Sequence, residues 1–231
     1  MKKIAVSTLL VTALVGIKNV DAQDCISYFP VKAGVVTEMT SYDGKNKETG
    51  LSRTTVLSNE TTADGYVVKI KSEEFDAKGT MKNNGEYSYS CAGGKFIFSM
   101  KNLFDKQNST AYEGMDVAMD ATDIDMPTQP VAGTVLKDGS FTMTVSTNGT
   151  TIMTMKTRMY NRKVVAVETI TTSAGTFECI KITYDLETDA MFKFVTKGVE
   201  WYSKEVGAVK AESYDTNGKL LGSSQLTKIT R

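Results

Sequence analysis

The chain has 231 residues, with 27 basic and 27 acidic side chains, three cysteines, twelve methionines and no histidine. A balance this even excludes electrostatic steering toward nucleic acid or an anionic membrane surface. The missing histidine removes Ser-His and Cys-His nucleophile pairs and the commonest neutral metal ligand.

The N-terminus reads as an export address. Lys2 and Lys3 precede an apolar run from Ile4 to Ile17, and Val20-Asp21-Ala22 places small residues at the −3 and −1 positions. Residues 1–22 are therefore expected to be a signal peptide, and 23–231 the mature exported domain. The run is shorter than the ~20 apolar residues a membrane-spanning helix needs, so no transmembrane segment is expected after cleavage. Asp24 stands directly before Cys25, where a lipidated cysteine needs a small residue, so a soluble mature protein is expected. Without Lys2, Lys3, Lys18 and Asp21, the count becomes 24 basic against 26 acidic residues, a net charge of −2.

Alternation of apolar and polar residues dominates the mature chain, the period of half-buried strands. Tyr66, Val68 and Ile70 alternate with Val67, Lys69 and Lys71; Phe141, Met143 and Val145 alternate with Thr142, Thr144 and Ser146. One short helix is expected over Asn102–Gln107, with Asn102 as its cap. The stretch Thr151–Thr172 is too long for one ordinary strand and is expected to break at Asn161-Arg162-Lys163. Turns are expected at Asp43-Gly44, Asp64-Gly65, Asn84-Gly85, Asp138-Gly139, Asn148-Gly149 and Asn217-Gly218, dipeptides that accept positive φ at low cost. Asp123–Gly133, with Pro127 and Pro130, is the expected crossover between an N-terminal and a C-terminal half. An aromatic-Asp-turn pattern recurs at Tyr42-Asp43, Phe75-Asp76 and Tyr214-Asp215, as convergent hairpin chemistry would produce.

Three cysteines in an exported chain permit one disulfide and leave one thiol over. Cys25–Cys91 is the preferred pairing, because both lie where a flexible arm can reach, against the two other pairings. Such a bond would constrain the unfolded chain by ~4 kcal/mol. Cys179, inside Phe177–Ile182, reads as a small core residue.

Three features invite a functional reading. Met143, Met153, Met155, Met159 and Met191 lie in the C-terminal strands, and thioether side chains suit a surface for variable apolar ligands. An ordinary methionine-filled core is the competing reading. Trp201-Tyr202 can stack or anchor, or simply pack. Asp116, Asp120, Asp123 and Asp125 are acidic enough to interest a hard cation, but they lack calcium-loop spacing, so a solvated loop and no metal site are expected. No Ser-Lys or paired-carboxylate constellation stands out. No catalytic residue and no cofactor are expected, and the chain reads as a non-enzyme.

Several stretches together resemble a known family: Cys25-Ile26-Ser27-Tyr28-Phe29-Pro30, Ser41-Tyr42-Asp43, Asn161–Val165, Gly175-Thr176-Phe177-Glu178-Cys179 and Trp201–Lys210. They resemble the TapB-like exported proteins of Bacteroidota, a branch of a domain-of-unknown-function family. The resemblance spans nearly the whole mature chain. It implies an envelope protein with an antiparallel β fold and no assigned activity or catalytic residues.

The expected fold is all-β and antiparallel, a strongly curved sheet or open barrel, either as one body or as two packed halves, 23–125 and 131–231. The expected role is a soluble periplasmic or envelope protein that binds or carries an apolar, lipid-like ligand. Met143, Met153, Met155, Met159, Met191, Trp201 and Tyr202 are its candidate contacts. The alternative is a structural or protein-interaction module of the cell envelope.

Overall fold

The computed structural model describes residues 27–93, 95–99, 114–127 and 130–231. The signal peptide, Cys25 and the expected helix Asn102–Gln107 lie outside the described residues.

The strands, in chain order, are β1 (Val36–Asp43), β2 (Glu48–Thr62), β3 (Gly65–Asp76), β4 (Met81–Ala92), β5 (Lys95–Ser99), β6 (Asp116–Ala121) and β7 (Asp123–Pro127). They continue with β8 (Gly139–Thr147), β9 (Thr150–Thr172), β10 (Gly175–Asp189), β11 (Lys193–Ser203), β12 (Gly207–Tyr214) and β13 (Leu220–Thr230). All 13 strands of the described residues join one antiparallel sheet in the order β6-β8-β9-β10-β11-β12-β13-β1-β2-β3-β4-β5-β7. The two ends of that order, β6 and β7, are consecutive in the chain. Only Thr122 separates them, and it is bonded both ways to Ser140, Thr122 N to Ser140 O at 2.9 Å and Ser140 N to Thr122 Oγ1 at 2.7 Å. One extended segment therefore pairs with β8 up to Ala121 and with β5 from Asp123. This strand switch nearly closes the sheet into a barrel and leaves little free edge.

Turn chemistry explains the hairpins. Asn148 and Gly149 have φ of 49° and 77°, the double positive φ of a two-residue type I′ connection. Three further hairpins share one design. Asp43, Asp76 and Asp215 each accept two backbone N–H groups on Oδ1, from the residues two and four places on, at 2.8–2.9 Å. The residue three places on is left-handed in each: Asn46, Gly79 and Gly218. The recurrent aromatic-Asp pattern is thus one turn used three times, along one rim of the sheet.

Several sequence expectations are corrected. Asn84-Gly85 lies inside β4, paired with Glu73 and Ser72. Asp138-Gly139 opens β8, with Asp138 ion-paired to Arg158 at 3.0 Å. The four aspartates Asp116, Asp120, Asp123 and Asp125 stand on β6 and β7 rather than in a loop. Most important, Thr150–Thr172 is one strand of 23 residues. It does not end at Asn161-Arg162-Lys163. It bulges there, because Tyr160 pairs with Asp185 and Lys163 with Thr183, so Asn161 and Arg162 together face Tyr184 alone.

The main core lies inside the curved sheet and includes Val56, Val68, Ile70, Tyr89, Phe96, Val164, Ile180 and Ile182. The segment before β1 enters this space. Glu205 N donates to Ser27 O at 2.8 Å, Tyr89 Oη donates to Pro30 O, and the Phe29 ring stacks on Phe96 with centroids 4.2 Å apart.

Candidate functional site

A bulge adds one residue to a strand and re-aims the side chains around it. Along β9, Met153, Met155, Thr157 and Met159 share the inner phase. Strict alternation would next bring Asn161 inward. Asn161 instead takes φ 55° and turns its amide to Asp185 Oδ2 at 2.7 Å. Asn tolerates this left-handed conformation better than most residues. The phase shifts by one, and Arg162 joins Val164 in the interior, only 4 % exposed.

Arg162 there forms the polar end of a cavity of about 200 Å³. Its apolar wall includes Phe29, Phe96, Phe98, Met159 and Ile182. The polar end adds Glu200, Tyr184, Tyr202 and Asp125. Tyr184 and Tyr202 donate one hydrogen bond each to the Glu200 carboxylate, at 2.8 and 2.7 Å. Burial raises both phenols well above their ordinary pKa, and the Glu200 charge adds to the shift. The Arg162 guanidinium donates from Nη1 to the Lys137 carbonyl, while its buried Nε has no hydrogen-bond partner. Burial lowers its pKa; Tyr202, Glu200 and Asp125 act against that through space. Asp125 itself lies 3.9 Å from Lys95 Nζ. A second cavity of about 160 Å³ lies beyond a wall of Phe29, Tyr87 and Phe98, which line both.

The sequence candidates separate into four places. Met159 and Tyr202 line the cavity. Met143 is buried with Phe141 and Val145, and Met153 and Met155 pack against that satellite core. Met191 stands 85 % exposed at the β10–β11 hairpin, beside Phe192. Trp201 is 4 % exposed in a separate cluster with Cys179, Val209 and Leu226. Its ring lies between Lys181 Nζ at 4.9 Å and Lys210 Nζ at 4.8 Å, and its indole N–H donates to Glu168. Two cations on one indole face-pair, each worth ~0.5–1 kcal/mol, give this residue a packing role. Arg162, Glu200 and Tyr184 were not singled out from the sequence. One signal was present: counting back from the apolar Val164 by two puts a charged residue in a core phase.

Comparison with known proteins places the chain. A family model described as DUF3108-like matches residues 32–226. The chain belongs to this family. The TapB-like label is narrower than the description this family model carries. Two solved structures share the fold. A "putative lipoprotein" from Parabacteroides distasonis is 26 % identical, with a TM-score of 0.75. It aligns over 90 % of this chain and 100 % of its own. A "putative exported protein with YmcC-like fold" from Bacteroides fragilis is 24 % identical, with a TM-score of 0.74 and the same coverage, and shows the fold alone. No curated protein matches the chain. Among the described residues, no helix is long and apolar enough to cross a membrane.

Proposed function

We propose that this chain is an exported envelope protein that binds a small apolar ligand inside its curved sheet. The carrying observation is the aromatic-walled cavity with a buried guanidinium at one end. Pockets of this kind, mostly apolar with a few placed polar groups, are the usual form of a small-molecule site. Binding rather than catalysis fits the polar end: of its two carboxylates, Glu200 already accepts from two phenols and Asp125 lies 3.9 Å from Lys95 Nζ, and the chain has no histidine. Export is supported by the signal-like residues 1–22 and by the names of the two structural relatives. Asp24 before Cys25 supports a soluble mature form. The TapB-like placement stays a proposal within the wider family.

Native mass spectrometry of protein purified from its own compartment tests the reading. A small-molecule adduct lost on denaturation is expected. Bare protein that also fails to take up a small apolar fluorophore would count decisively against it.

The Cys25–Cys91 disulfide is part of this proposal. It is supported by Cys179, which is free, 1 % exposed and pushed up to about 11 by burial and by the nearby Glu168 and Glu178 charges. A thiol this buried and this weakly acidic is inert in the fold. Alkylation at neutral pH without reductant is expected to label no cysteine in the native protein and Cys179 alone after denaturation. Labelling of Cys25 or Cys91 in the denatured, unreduced protein would overturn the pairing.

A further inference from the structure

An arginine buried to 4 % exposure with an unpartnered Nε is costly. Its charge has lost water, and the Lys137 carbonyl returns only one neutral hydrogen bond. The Glu200 carboxylate instead accepts from Tyr184 and Tyr202, one on each oxygen. Asp125 leans instead toward Lys95. Glu200 and Asp125 act on the charge only through space. A planar carboxylate would meet it directly, since a guanidinium offers parallel donors to two oxygens.

Size selects among acids. The cavity of about 200 Å³ exceeds only modestly the ~150 Å³ apolar cavity known to hold benzene. That leaves space for roughly one ring or a chain of about six carbons, and not for a whole membrane lipid.

We propose that the cavity takes a small monocarboxylic acid, its carboxylate paired with the Arg162 guanidinium and its apolar part against Phe29, Phe96 and Met159. This rests on the ligand-binding reading of the same cavity and adds the head group and the length. Phe29 belongs to the segment before β1, so the seat is complete only when that segment is docked.

Calorimetric titration of the purified full mature chain with hexanoate and with 1-hexanol tests it. Hexanoate is expected to bind roughly ten- to a hundredfold more tightly, the ratio a charge-assisted hydrogen bond supplies. Arg162→Gln is expected to abolish the preference for hexanoate over hexanol. Equal binding of the two by the natural chain overturns the acid and keeps the ligand reading. Binding of neither overturns both. If Arg162→Gln does not fold, the head-group comparison on the natural chain still decides.

Discussion

Raising the pH above 10 is expected to unfold the protein steeply. Tyr87, Tyr89, Tyr184 and Tyr202 all lie in or beside the cavity, and burial raises the pKa of each well above the ordinary 10, that of Tyr87 to about 12. For Tyr184 and Tyr202 the Glu200 charge adds to the effect. The sign follows from proton counts. Below pH ~10 the phenols are protonated in both states and contribute no slope. Above it the unfolded chain loses these protons while the folded chain keeps them, so stability falls as pH rises. Each such tyrosine contributes a slope of ~1.4 kcal/mol per pH unit until its folded pKa is reached. Four acting together can remove a typical domain stability of ~5–15 kcal/mol within one to three pH units. Thermal melts between pH 8 and 11.5 should therefore be flat at first and then collapse. The tyrosinate absorbance of these four should appear together with loss of the circular dichroism signal. Ionisation of all ten tyrosines near pH 10 in a protein that stays folded would show that these phenols are solvated, and the cavity with them.

The same cavity marks where the sequence was legible and where it was not. Alternation reports which face of a strand is buried, and it worked along β3 and β8, where Val68, Ile70, Phe141, Met143 and Val145 are indeed core. Hairpin chemistry was legible where the signal is a local conformational demand, as at Asn148-Gly149 and the three Asp turns. It misled at Asn84-Gly85, because a dipeptide that tolerates a turn does not compel one when a neighbouring strand, here β3, supplies the ladder bonds. The segment around Asn161 was legible as an interruption but not as its kind. A break and a bulge use the same residues, and only pairing with β10 separates them. That ambiguity concealed Arg162, whose inward direction depends on the bulge. The methionine excess was legible as apolar content, but the cores it fills are divided by tertiary packing that periodicity does not encode.

Gly198→Ala is expected to damage both stability and the cavity. Gly198 lies on β11 directly opposite Tyr184 on β10. The tyrosine ring lies across the glycine, so an added Cβ would sit 2.2 Å from Cζ, 2.4 Å from Cε2 and 2.6 Å from Oη. These are far inside van der Waals contact, and the ring must leave. The backbone at Gly198 has no left-handed φ, so the cost is steric and not conformational. Overpacking of this kind costs ~1–3 kcal/mol. Losing the 2.8 Å bond from Tyr184 to Glu200 adds ~0.5–1.5 kcal/mol. The displaced ring has to move into the space it lines, which should also weaken hexanoate binding about tenfold or more. A double-mutant cycle isolates the cause. In a Tyr184→Ala background the methyl group meets no ring, so Gly198→Ala should be neutral or mildly stabilising, as alanine restricts the unfolded chain more than glycine does. An equal penalty in both backgrounds would show that the glycine is required for something other than the tyrosine. The link between this strand pair and the shape of the cavity would then fail.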